Sequence, residues 1–179
     1  MAVVNSTIFQ IVGFQNSGKT TFLKKLIEEL NNEKITAVTI KHHGHGGKPE
    51  LIEEKDSSHH LKAGAIASIV EGDGRLLLHS EKSEWTIDEK IQLASFFRPG
   101  VILIEGHKYV DFPKGVIIRS EEDLVLLQDL KNIKIVFYWN ESILEKTASL
   151  SRELPFYQID NPSGYEWIVN FIKSSSRLL

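Results

Sequence analysis

The stretch GFQNSGKTTF, residues 13 to 22, constrains this chain more than any other. A glycine, four further residues and then Gly18-Lys19-Thr20 match the Walker A pattern in full. The flanks fit as well. TIFQIV (7–12) reads as a buried strand, and from Thr20 to Asn31 the residues Phe22, Leu23, Leu26, Ile27 and Leu30 fall on one helical face. Between such a strand and helix, glycines let the backbone turn tightly, so that successive N–H groups point inward at phosphate oxygens. The helix N-terminus adds partial positive charge. Lys19 is placed to reach the β- and γ-phosphates, and the Thr20 hydroxyl is placed to ligate Mg²⁺. Thr21 falls near the α-phosphate. The loop is expected to bind a nucleoside triphosphate.

The rest of the chain supplies the frame. ITAVTI (35–40), VILIE (101–105), GVIIR (115–119) and IKIVFYW (133–139) are apolar, strand-like runs, and FYQID (156–160) is a shorter one. Asp56 to Ala63, Thr86 to about Phe97, Ser142 to about Arg152 and Pro162 to Lys173 read as helices. Thr86 and Glu89 form a capping box at the start of the second of these. Asp73-Gly74, between IASIV and RLLLH, signals a hairpin. The fold expected is α/β and P-loop NTPase-like: a mostly parallel sheet with helices on both faces, plus an antiparallel hairpin, in one domain over 1–179. Leu76 to Leu78 are apolar in succession, so both faces of the hairpin need cover. Pairing or packing across a dimer would supply it.

A triphosphate site needs a carboxylate to help position Mg²⁺, usually at the end of a buried strand. Glu105 in VILIEGHK is the strongest candidate, with a plain strand-end carboxylate as the other reading. Asp56 competes for a catalytic role, although as a helix N-cap it needs none. Lys41, His42, His43 and His45 crowd one Gly-rich loop, with His59-His60 further on. A basic loop contacting phosphate is favoured over a metal site, because adjacent residues on a loop rarely converge on one ion.

The net charge of −3 gives no basic excess for nucleic acid or an anionic membrane. The longest apolar runs fall far short of the roughly 20 residues a span needs. The start MAVVNSTIFQIVGF lacks the features of a secretory signal, so a cytoplasmic protein is expected. With no cysteine, thiolate metal sites are excluded.

Taken in order, GFQNSGKTTF, TIKHHGHGG, KDSSHHLKAGA and VILIEGHKYVDFPKGVIIR resemble the MobB-type molybdopterin-guanine dinucleotide biosynthesis proteins B, from about Ile8 to Arg119. The resemblance implies a homodimeric GTP-binding protein, at most a slow GTPase. It would assist a partner guanylyltransferase of the MobA type that joins GMP to molybdopterin. By position, Gly13, Gln15, Asn16, Ser17, Gly18, Lys19, Thr20 and Thr21 would hold phosphates and Mg²⁺. Lys41 and His42 would belong to the loop after the second strand, which would contact phosphate or the anionic pterin. Asp56 and Ser57 would face the site, and Glu105 and Lys108 would close it. The chain departs from the family pattern with Glu54 before KDS, His59-His60 after it and His107 after Glu105-Gly106. No arginine in the motif segments stands out as a finger. No [NT]-K-x-D sequence reads guanine; Asn140, with Trp139 stacking, falls where one would lie.

Three other functions stay open. A small-molecule P-loop kinase usually carries an Arg-rich lid, whereas Arg75, Arg98, Arg119, Arg152 and Arg177 are scattered. A metallochaperone GTPase would suit the histidine loop but not the lack of cysteine. A non-hydrolysing dimeric adaptor would need no working nucleotide site.

Overall fold

A computed structural model describes residues 6–42, 56–147 and 153–176. Its frame is a six-stranded, fully parallel sheet built from β1 (Thr7–Val12), β2 (Ala37–Lys41), β5 (Val101–Glu105), β6 (Lys114–Ile118), β7 (Ile133–Tyr138) and β8 (Phe156–Gln158). The strand order is β2-β5-β1-β6-β7-β8. A separate antiparallel pair, β3 (Ala67–Gly72) and β4 (Arg75–Ser80), forms the expected hairpin. Asp73 and Gly74 turn it, both with positive φ, as a tight two-residue loop requires.

Six helices complete the fold among the described residues: α1 (Lys19–Asn32), α2 (Asp56–Lys62), α3 (Ile87–Ser95), α4 (Val125–Asp129), α5 (Glu141–Thr147) and α6 (Pro162–Ser176). The Thr86–Glu89 capping box is present at α3. The strand expected from residue 35 begins at Ala37, because the Ile35 N–H still bonds Leu30 O at the end of α1. The helix expected to reach Arg152 is described only to Thr147, and residues 43–55, with His43 and His45 of the loop after β2, lie outside the described residues. A 3₁₀ turn (Glu121–Leu124) and α4 have no clear apolar period. They are organised by Asp123, whose carboxylate accepts the N–H groups of Arg119 and Ser120.

The continuous apolar runs make sense once both sheet faces are covered. Val101 and Leu103 face α1 and α6, in a cluster with Phe9, Phe22, Leu26 and Ile168. Ile102 and Ile104 face α3 through Ile91 and Ala94. Val116, Ile118 and Val136 meet α4 and α5 through Leu126 and Ile143. Each such large side chain contributes about 1.5–3 kcal/mol by leaving water. Among the described residues, no helix is long and apolar enough to cross a membrane.

The topology fixes where a ligand can sit. The connection from β1 runs through α1 to β2, beyond β5 on one side, and the connection from β5 crosses over β1 to β6 on the other, so the carboxyl end of β1 opens into a crevice at the switch point. The Gly-rich loop occupies that end.

Candidate functional site

Residues 13–18 wrap the start of α1. Asn16 (φ 58°) and Gly18 (φ 93°) both adopt the left-handed conformation that the tight turn demands. A Cβ on Gly13 would meet Ser17 Oγ at 2.5 Å, so this position has no room for a side chain. No side chain caps the N-terminus of α1, which leaves its first N–H groups free to bind an anion. Lys19 folds back and donates to Phe14 O at 2.6 Å. Burial lowers its pKa; the Glu105 carboxylate opposes this, and the Lys108 and Lys41 charges reinforce it.

Two elements bring the acidic partner. Glu105 ends β5, next to β1, and the Thr20 hydroxyl donates to its Oε1 at 3.0 Å. This hydroxyl–carboxylate pair fits Mg²⁺, which takes one or two protein oxygens and completes its shell with water and phosphate oxygens. The Lys41 ammonium lies beside both, 3.3 Å from Glu105 Oε1 and 3.2 Å from Thr20 Oγ1. A cation already occupies the place where the two oxygens converge.

The cavity over this loop measures about 1020 Å³. Of the residues picked from the sequence, Gly13, Gln15, Asn16, Gly18, Lys19, Thr20 and Thr21 line its floor. Lys41, His42, Glu105 and Lys108 line its wall. Ser17 is buried beneath the loop, with its hydroxyl 3.4 Å from the Lys19 ammonium. Asn140 follows β7 and is exposed, outside the lining. Asp56 begins α2, but its side chain lies outside the described residues.

Several contacts were not visible in the motifs. Phe14, His107, Tyr109 and Val110 also line the cavity, with the Lys108 ammonium 4.3 Å from the centre of the Phe14 ring. The His107 ring lies 4.7 Å from that of His42, and its Nε2 is 3.3 Å from the Lys90 ammonium. Burial first, then the Lys90 and His42 charges, pushes its pKa down to about 4, so it is neutral near pH 7. On the opposite side of the loop, Arg119 donates to Asn16 O at 2.6 Å, and Trp139 Nε1 donates to Ser17 O at 2.9 Å. The Trp139 ring packs on Gly18, where a Cβ would come within 2.9 Å of it. The signal for Arg119 was its place at the end of the strand that pairs with β1; its distance from the motif in sequence hid it. Among the described residues, no three histidine or carboxylate side chains gather as a metal-holding group.

This architecture defines a P-loop NTPase-like α/β protein. The family described as Molybdopterin guanine dinucleotide synthesis protein B matches residues 8–138, and the chain belongs to that family. It is 37% identical over 170 residues to a probable molybdopterin-guanine dinucleotide biosynthesis adapter protein of Bacillus subtilis (strain 168), covering 94% of this chain and 95% of that one. The crystal structure of Bacillus subtilis MobB superposes with a TM-score of 0.74 at 33% identity, covering 94% and 97% of the two chains. A MobB homolog from Bacillus stearothermophilus gives 0.72 at 31%, covering 93% and 98%. The hydrogenase maturation factor HypB from Archaeoglobus fulgidus, at 16% identity and 0.55, shares the fold; it covers 97% of this chain and 91% of its own.

Proposed function

We propose that this chain is an adapter in molybdopterin-guanine dinucleotide biosynthesis that binds GTP with Mg²⁺ and presents it to a partner guanylyltransferase. The observation that carries the reading is the Thr20–Glu105 pair at the mouth of the Gly-rich loop. It supplies a hydroxyl and a carboxylate where a bound triphosphate needs its metal. Lys19, Lys41 and Lys108 against Glu105 leave the cavity with a surplus of positive charge, which suits a triphosphate carrying one Mg²⁺. Family membership supports guanine over adenine, and it supports a cytoplasmic homodimer with the MobA-type enzyme as partner.

Hydrolysis in this reading is slow. Arg119 is spent on the loop backbone, on the side of the loop opposite Glu105. A turnover above about one per second without a partner would contradict this, since competent kinases work in that range. A single titration tests the whole reading: GTP and ATP, each with Mg²⁺, into wild type and Lys19→Ala by calorimetry. GTP-selective binding that is lost in the variant is expected. Equal or tighter ATP binding would move the assignment to a small-molecule kinase. Binding of neither nucleotide would leave an adaptor without a working nucleotide site.

A further inference from the structure

The loop from Gly106 to Pro113 forms one wall of the cavity, and two buried side chains of the sheet hold it. Lys114 opens β6 and is 1% exposed. A buried ammonium is costly unless charge or hydrogen bonds compensate it. Among the described residues Lys114 has no ion pair; its ammonium donates instead to Lys108 O at 3.1 Å and Val110 O at 2.6 Å. Burial lowers its pKa, and the Asp111 charge opposes that shift.

Its neighbour across the β1–β6 ladder is Gln10, which is fully buried. The Gln10 amide donates to Gly106 O and His107 O, each at 2.6 Å. Its own carbonyl oxygen has no hydrogen-bond partner. The amide is therefore turned so that both donors serve the loop, and its acceptor goes unmet. Four carbonyls of one short segment are gripped by two adjacent core residues.

The loop needs such a grip. Gly106 and His107 are both left-handed, at φ 88° and 52°, and His107 is no glycine. Few backbone bonds support it: Val110 N–H to His107 O, Phe112 N–H to Val110 O, Gly106 N–H to Ile11 O and Gln10 N–H to Pro113 O. Yet it carries His107, Lys108 and Tyr109 to the cavity. If Lys114 served only to fill the core, an apolar side chain of the same length would do as well or better.

We infer that Gln10 and Lys114 are positioning residues that clamp the 106–113 loop so that Lys108 stands over the phosphate site. The inference rests on the nucleotide-binding reading for its consequence, but not for the clamp itself. Two measurements separate them. In hydrogen exchange without nucleotide, Lys114→Met should speed the Val110 and Phe112 amides about tenfold and leave the β1 and β7 amides unchanged. Unchanged loop amides, or a uniform rise across the sheet, would overturn the clamp.

In calorimetry with Mg²⁺ and the GTP analogue GMPPNP, Lys108→Ala and Lys114→Met should each weaken binding about tenfold, the scale of a lost charge-assisted bond. The double variant should be within about twofold of Lys108→Ala alone. Wild-type affinity in Lys114→Met, or losses that multiply to about a hundredfold, would overturn positioning through Lys108. Should Lys114→Met fail to fold, Gln10→Leu enters both experiments with the same expectations. A wild-type protein that does not bind GMPPNP overturns the functional reading, and the exchange data still decide the clamp.

Discussion

The Lys41 ammonium stands 3.3 Å from Glu105 Oε1, and it reaches the same pair of oxygens that fits Mg²⁺. On the proposed reading, Lys41 and Mg²⁺ would therefore compete for one place. Lys41 is more than half exposed, so its hold is weak, at most about 1 kcal/mol. Replacing it with Met should lower the Mg²⁺ needed for half-maximal nucleotide binding by up to about fivefold. A Mg²⁺ titration at fixed nucleotide checks this; an unchanged or raised requirement would show that Lys41 is no competitor.

The hairpin exposes apolar side chains on both faces of a single chain. Ile66 is 86% and Leu76 54% exposed, and the cross-strand pairs Ile69–Leu78 and Val70–Leu77 lie on opposite faces. Although α2 packs against the hairpin, apolar side chains stay exposed on both faces and, among the described residues, neither outer edge is paired, which calls for a partner ribbon more than for a single flat contact. Wild type should sediment as a dimer at micromolar concentration. Leu77→Glu should sediment as a monomer with an unchanged thermal signature for the six-stranded sheet.

His107 makes the cavity wall sensitive to acid. Its folded pKa of about 4 lies below the ordinary 6.5. Between those values the unfolded chain takes up a proton that the folded chain refuses. The stabilisation linked to neutral His107 is complete above pH 6.5 and is lost as pH falls towards 4. Thermal unfolding at pH 7 and pH 5 should show a smaller drop in midpoint for His107→Asn than for wild type. An equal drop would place the acid sensitivity elsewhere.

Local chemistry made much of this protein readable from its residues. The strand, Gly-rich loop and helix at 7–32, the Thr86 capping box and the Asp73-Gly74 turn each depend on neighbours in sequence, and each is present. Glu105 was also legible, because a carboxylate ending a fully apolar run has few places to go but the carboxyl edge of a buried sheet. What stayed hidden depends on partners far along the chain. Lys114 looks like a surface lysine until the pairing of β6 with β1 buries it beside Gln10. Arg119 and Trp139 lie more than a hundred residues from the loop carbonyls they hold. Strand order, not spacing, brings them there.

Those last two contacts change what happens when an anion arrives. Arg119 and Trp139 grip the backbone of the Gly-rich loop from outside, so its shape is set with the cavity open. A cradle held this way surrenders little freedom on being filled, and little of the attraction is used up in ordering it. On the proposed reading, capture would then follow the rate of encounter, quickened by the field of Lys19, Lys41 and Lys108 and slowed by salt, with no wait for a rare loop conformation.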